Sequence, residues 1–256
     1  MATEQLSEET VKYLEEKQIA ALMEHLYHDL LLALPADPVD HLIATLNCPM
    51  KPQIIIAGPP AGGKGTQCEK TVEKFGVVHI STGDLLREES RKGTPLGKQA
   101  QQFMTAGQLV PDALITQLVK AKLNEPDVKQ KGWLLDGFPR TRSQALGLQL
   151  LGIIPHVVVL LDVADAVVSG RIEGRRVDKD GKTYHVVHNP PPAGLEVHQR
   201  PDDTATAIAV RLKLYHQNVA AVKECYSSIV RSVDGDRDKD AVFADVSTAI
   251  EEVIVA

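Results

Sequence analysis

Apolar residues at the start of the chain recur at helical spacing. Val11, Leu14, Ile19, Leu22, Met23, Leu26, Leu30, Leu31 and Leu34 predict one helix over residues 7–34. Ser7 can cap it, and Glu8 and Glu9 sit in its electropositive first turn. Pro35 ends it. Asp37 and Pro38 then start a second, shorter helix, with Leu42, Ile43 and Leu46 as its apolar face. Residues 48–52 read as a linker. From residue 53 short apolar runs alternate with helical stretches. Strands are predicted at 53–57, 77–80, 133–136 and 156–163, with weaker ones at 229–233 and 241–246. Helices fall between them, for example at 112–123 and 204–225. Short, wholly apolar strands separated by helices imply a parallel sheet covered on both faces. Residues 177–203, rich in Pro, Gly and His, read as an irregular insertion or lid.

Length and charge divide the chain the same way. Its 256 residues allow a domain of about 200 residues plus a small module. Residues 1–52 hold nine acids against Lys12, Lys17 and Lys51, which accounts for the whole formal charge of −6; the other 204 residues carry 25 of each sign. A chain without a basic surface is not expected to bind nucleic acid. At 43% hydrophobic and 24% charged residues the composition is that of a soluble globular protein. No run approaches the ~18 apolar residues of a membrane span, and no secretory signal is expected. Cys48, Cys68 and Cys225 are odd in number and far apart, which argues against a disulfide framework or a cysteine zinc site and fits a reducing compartment.

The stretch Gly58, Pro59, Pro60, Ala61, Gly62, Gly63, Lys64, Gly65, Thr66 follows a predicted strand and opens a helix, the context of a phosphate-binding loop. Glycines let backbone N–H groups converge on phosphate oxygens, the helix N-terminus adds partial positive charge, and Lys64 adds a full one. The generic pattern has Ser or Thr directly after the lysine, where its hydroxyl meets magnesium. Here Gly65 intervenes, so that role does not carry over to position 65.

Further motifs narrow the reading. The segment GPPAGGKGTQ at 58–67 resembles the P-loop of adenylate kinases. So do residues 81–87 (STGDLLR), 107–112 (GQLVPD), 136–141 (DGFPRT) and 171–176 (RIEGRR), with Tyr184, His185, Asn189, Pro190 and Pro191 in lid positions. The resemblance covers residues 53–256. It implies an α/β fold: a five-stranded parallel sheet flanked by helices, an NMP-binding segment at ~81–112 and a lid at ~174–203. It also implies the reaction MgATP + AMP ⇌ 2 ADP, with magnesium entering with ATP and no structural zinc.

Site roles follow from the same resemblance. Gly58, Ala61, Gly62, Gly63, Lys64, Gly65, Thr66, Arg171, Arg175 and Gly235 would bind ATP. Thr82, Arg87, Gln108, Val110, Gly137, Arg140, Gln144, Arg200 and Arg211 would bind AMP. Lys64, Arg140, Arg175, Arg200 and Arg211 would be catalytic. Asp136 would act on magnesium through water, with Asp202 and Asp203 near the metal. Phosphoryl transfer depends on positioning and charge neutralisation, so seven cations around two polyphosphates suit it, and a closing lid would exclude water.

The sequence also departs from that pattern. Ala61 and Gly62 invert the usual Gly-Ala order; if position 61 needs φ > 0 Ala is strained there, and a local shift onto Gly62 and Gly63 is expected. The lid lacks zinc cysteines, and His185, His188 and His198 read as solvated rather than as a metal set. The charged stretch after Val233, Asp234 and Gly235 is longer than usual. Thr82, Gln144 and the substantial lid suit AMP over UMP or CMP; GTP is an alternative donor. A P-loop switch lacks its base-reading motif here, and a nucleotide-binding docking scaffold without activity would not need these arginines.

About 45 residues bury too little core to fold unaided, and a helix over 7–34 would be about 40 Å long. Residues ~10–46 resemble the dimerisation/docking domain of type II regulatory subunits of cAMP-dependent protein kinase. That resemblance implies a homodimer whose groove takes an amphipathic anchoring helix. The expected organisation is then a docking-like module at 1–49 and a kinase domain at 50–256, in the cytoplasm or tethered in a cilium or flagellum. The alternative is a helical extension packed on its own kinase domain.

Overall fold

The computed structural model describes residues 7–16, 19–47, 51–179, 181–187 and 189–254. Residues 51–251 form one compact unit, and residues 1–50 with 252–256 a second.

In the larger unit, five strands form one parallel sheet: β1 (Gln53–Ala57), β2 (Val78–Ser81), β3 (Trp133–Asp136), β4 (Val157–Asp162) and, last in the chain, Val230–Asp234. Their order is β2-β3-β1-β4 and then Val230–Asp234 at the edge. Ile54, Ile55 and Ile56 of the central β1 are essentially inaccessible, as are Leu134 and Leu135 of β3 and Val157, Val159 and Leu161 of β4. A strand buried on both faces needs no polar alternation, which explains the continuous apolar runs.

Helices cover the sheet: α4 (Lys64–Phe75), α5 (Thr82–Lys92), α6 (Pro95–Thr105), α7 (Asp112–Leu123), α8 (Pro126–Lys131), α9 (Arg142–Leu150), α10 (Asp165–Glu173), α11 (Ala205–Cys225) and α12 (Lys239–Ile254). Their caps are local chemistry. Ser81, Thr94, Thr141 and Thr204 each accept a backbone N–H from the first turn of the helix they open. Strand β1 pairs with β3 on one side and β4 on the other, so successive connections diverge at its carboxyl end. That end is where an open α/β sheet leaves a crevice, and it is where the Gly-rich loop begins.

Two expectations for this unit are corrected. Residues 241–246 lie inside α12, not in a strand. Val242, Val246, Ala249 and Ile250 are its buried stripe, at helical spacing. The six-residue window was too short to tell the two periods apart. The supposedly irregular 177–203 carries structure as well: β5 (Arg175–Val177) and β6 (Thr183–His185) pair antiparallel, and Val177 bridges to His198. We number the final sheet strand, Val230–Asp234, β7.

In the smaller unit, the stretch expected as one helix is described as α1 (Glu8–Glu16) and α2 (Ile19–Ala33), with Lys17 and Gln18 outside the described residues. The third helix, α3, is Pro38–Asn47. Ser7 accepts the Thr10 N–H, and the Asp37 carboxylate accepts those of Val39 and Asp40, as capping residues should. Asp29 ties α2 to α3, bonding His41 Nε2 at 2.6 Å and the Thr45 hydroxyl at 3.1 Å. The linker expected at 48–52 falls mostly on Cys48, Pro49 and Met50, outside the described residues.

Candidate functional site

The chain turns from β1 into α4 over residues 58–63. Gly58 takes φ 151°, and a Cβ there would lie 2.9 Å from the Leu161 carbonyl oxygen. Only glycine lets the loop pass so close to β4. Ala61 takes φ 53°, so the expected shift onto its neighbours does not occur. The left-handed conformation stays at position 61, and alanine bears the Cβ–carbonyl crowding. Gly62 does not take a left-handed conformation, whereas Gly63, the N-cap of α4, does at φ 88°.

Lys64, the first residue of α4, donates to the carbonyls of Gly58 (3.1 Å) and Pro59 (2.6 Å). These bonds fold the ammonium back over the loop. Burial pushes its pKa down to about 8, with Arg140 and Arg211 adding to the fall and Asp136 opposing it.

A cleft of about 1480 Å³ opens above the loop. Gly58, Ala61, Gly62, Gly63, Lys64, Gly65, Thr66 and Gly235 line it, as do Arg87, Arg140, Arg171, Arg175, Arg200 and Arg211. Seven of the cationic side chains that line this space are those expected at the site. Each has a local acceptor or acid. Arg87 binds Asp84 at 2.5 Å. Arg140 Nε donates to the Gly137 carbonyl at 2.6 Å. Arg171 reaches the Gly235 carbonyl at 3.2 Å. Arg200 meets the Thr183 hydroxyl of β6 at 3.3 Å. Arg211 pairs with Asp202 at 2.9 Å. Arg175 holds Asp203 bidentately, its Nε and one Nη donating to the two carboxylate oxygens. Burial, with neighbouring arginines adding, lowers Arg200 and Arg211 to about 10. Both remain cationic at neutral pH.

A smaller recess of about 60 Å³ joins this cleft, lined by Thr82, Arg87, Gln108, Val110, Gly137, Arg140 and Gln144. Thr82 is buried and donates to the carbonyls of Asp136 (3.2 Å) and Gly137 (3.0 Å). Gln144 is fixed from both ends. Its oxygen accepts the Arg140 N–H at 2.7 Å, and its amide donates to Asp112 at 2.8 Å.

Asp136, at the end of β3, has a carboxyl oxygen, Oδ1, buried with no hydrogen-bond partner. Burial alone would raise its pKa. His79, Lys64 and Arg140 together outweigh it, so the carboxyl lies below its ordinary value and is ionised. An ionised oxygen without a donor fits a hard cation held through water. Asp202 and Asp203, expected near that metal, are instead engaged by Arg211 and Arg175. Their charges are drawn to the nearer guanidinium groups. The three-residue group of metal-ligating type among the described residues joins Asp136 to Cys68 and His79.

Sequence reasoning did not single out Asp112, Asp84, His79 or Cys68. Asp112 was legible as a helix start and as the last residue of the 107–112 motif, without a role. Its hold on Gln144 spans 32 positions and carries no local signal. His185 and His198 both lie in the β5–β6 region, and His188 falls outside the described residues.

Comparison with known proteins bears on this geometry. The adenylate kinase family model matches residues 56–230. The chain is 45% identical over 209 residues to the probable adenylate kinase 2, chloroplastic, of Oryza sativa subsp. japonica, covering 80% of this chain and 71% of that protein. It is 43% identical over 206 residues to the chloroplastic adenylate kinase of Zea mays (79% and 93%). It is also 40% identical over 214 residues to the adenylate kinase of Methanothrix thermoacetophila (78% and 98%).

The strain at Ala61 makes a direct prediction. Ala61→Gly removes the Cβ crowding but loosens the unfolded chain, so the net gain should be about 0.5–1 kcal/mol. In thermal unfolding this is a rise of roughly 1–4 °C. An unchanged or lower midpoint would contradict the strain.

Proposed function

The chain belongs to the adenylate kinase family, and from that premise we propose that it transfers the terminal phosphoryl group of MgATP reversibly to AMP, giving two ADP. The observation that carries this reading is the convergence of Lys64 and six arginines on one cleft above a Gly-rich loop. Such an array neutralises two polyphosphates at once, and phosphoryl transfer asks mainly for positioning and charge neutralisation.

Within this reading Lys64 leaves the Gly58 and Pro59 carbonyls and takes the β- and γ-phosphates of ATP, whose phosphates lie on the N–H groups of residues 61–66. Arg171 and Gly235 flank the adenine side. Arg87 and Arg140 hold the AMP phosphate, while Thr82, Gln108, Val110, Gly137 and Gln144 seat its base. Arg175, Arg200 and Arg211 gather on the transferring group as the β5–β6 lid closes and excludes water. Asp202 and Asp203 position Arg211 and Arg175. Asp136 would hold magnesium through water, and the ion when bound supplies neutralisation of β- and γ-phosphate charge. Thr82, Gln144 and the structured lid favour AMP over UMP or CMP, and ATP is taken as donor over GTP.

For the N-terminal unit we propose pairing with a second copy, and docking of an amphipathic anchoring helix. Large apolar side chains support this: Tyr13, Met23, Tyr27, Leu31, Leu34, Val39, Ile43 and Leu46 all stand exposed. The setting of such a tether, in the cytoplasm or in a cilium or flagellum, rests on the docking-domain resemblance alone. No helix among the described residues is long and apolar enough to cross a membrane.

ADP formation with MgATP and each monophosphate in turn tests the reaction. AMP should be the selective acceptor, and Arg140→Ala should lower turnover by about 10³-fold or more with the circular dichroism unchanged. Preferred turnover of CMP or UMP would reject the AMP assignment. Lys64 adds a pH signature. With a free-protein pKa of about 8, it is mostly neutral at pH 9, and a bound phosphate restores its proton. ATP affinity should be full below pH 8 and fall by about tenfold per pH unit above it. Calorimetry in buffers of differing ionisation enthalpy should show uptake of nearly one proton at pH 9, absent in Lys64→Met. Deleting residues 1–49 should leave turnover intact and convert a dimer to a monomer by light scattering. A monomeric full-length chain would refute the pairing.

A further inference from the structure

We propose that Cys68, His79 and Asp136 form a binding site for one borderline-soft divalent cation of the zinc class, separate from the magnesium that enters with nucleotide. Occupation of this site blocks phosphoryl transfer by taking Asp136, a consequence that rests on the role given to Asp136 above.

The fold brings three different donors to one point. Ser81 of β2 stands opposite Asp136 of β3, so His79, two residues earlier on β2, shares the face of the sheet on which Asp136 lies. Helix α4 packs over β2 and β3 and contributes Cys68, whose side chain is fully buried. The sulfur, a ring nitrogen and a carboxylate oxygen lie within 4.8 Å of one another. The His79 Nε2 to Asp136 Oδ2 separation is 3.7 Å, too long for a hydrogen bond. It matches the ligand–ligand spacing of roughly 3.3–3.8 Å that tetrahedral bonds of about 2.0–2.3 Å produce. The Cys68 sulfur lies within 4.8 Å of both donors.

A second observation points to a ligand. His79 Nε2 and Asp136 Oδ1 are both buried without a hydrogen-bond partner. Buried polar atoms are seldom left in this state, and two of them beside one thiol are not accounted for by core packing. The donor set selects the metal. Thiolate and imidazole suit zinc, whereas magnesium takes oxygen ligands and keeps its waters. Charge also closes: the Cys68 thiol proton leaves to solvent as the metal binds, and thiolate and carboxylate then cancel the dication, so the filled site is neutral. Three protein ligands leave the fourth position to water on the cleft side.

The test uses the reduced full-length protein without nucleotide, titrated with Co²⁺. A near-ultraviolet thiolate-to-cobalt charge-transfer band should appear and saturate at one ion per chain. Cys68→Ala should abolish it, and His79→Gln should weaken cobalt binding by at least tenfold. In the presence of excess magnesium, Zn²⁺ should inhibit ADP formation by the wild type. Cys68→Ala should keep its basal turnover and need at least tenfold more zinc for half-inhibition. Absence of the band overturns the proposal. So does a band that survives in Cys68→Ala, which would place the thiolate at Cys48 or Cys225, or zinc inhibition equal in both variants and wild type. The cobalt signal needs no turnover, so a chain that made no ADP would still answer whether the site exists.

Discussion

Lys64 and six arginines face a single cleft, and their mutual repulsion is the condition that the rest of the site is arranged to meet. In water such a cluster would disperse on flexible side chains. Here each charge has a local partner. Carbonyls at Gly58, Pro59, Gly137 and Gly235 take Lys64, Arg140 and Arg171. Asp84, Asp202 and Asp203 take Arg87, Arg211 and Arg175. Those partners hold the array together without an anion, while burial, with Arg140 and Arg211 adding to it, keeps the Lys64 pKa low. A polyphosphate offers the missing charge to all seven at once. The lid belongs to the same balance, since Arg200 is tied to β6 through Thr183 and Arg175 is itself in β5. In the proposed reaction, lid closure would bring more positive charge inward, which is favourable only when phosphate is there to receive it.

The loop beneath the array is fixed by the sheet. Gly58 must pass the Leu161 carbonyl, and this close approach sets where the backbone leaves β1. With the start fixed and α4 fixed by packing, the turn between them has one path, and position 61 falls in the left-handed region whatever residue stands there. An alanine in that place is held by its surroundings rather than by its own preference.

Much of this was legible in the sequence because the signals were local. The buried β1 run, the Gly-rich turn and the caps at Ser7 and Asp37 each declare themselves within ten residues, and the structure has them where the pattern put them. The misreadings have a physical origin. Residues 241–246 contain too few turns to separate a buried helix from a strand. The β5–β6 hairpin has three-residue strands, below the length at which alternation shows. Nor could any window show that Arg211 and Arg175, 9 and 28 positions away, engage Asp202 and Asp203. The Cys68, His79 and Asp136 group is assembled from a helix and two strands with 68 positions between its ends, and no window contains it.

The N-terminal unit marks the boundary of what hydrophobic pattern can decide. In the sheet unit, period tells both the element and its partner, because strands and helices of the same chain cover one another. In α1–α3 the period marks helical chain, and the Asp29 clamp to His41 and Thr45 sets α2 against α3. Yet among the described side chains only Leu26 is a buried hydrophobic, while Met23, Tyr27, Leu31, Ile43 and Leu46 stand out in solvent. An apolar stripe that stands exposed carries information about a surface, and it is the observation on which the proposed pairing with a second copy rests.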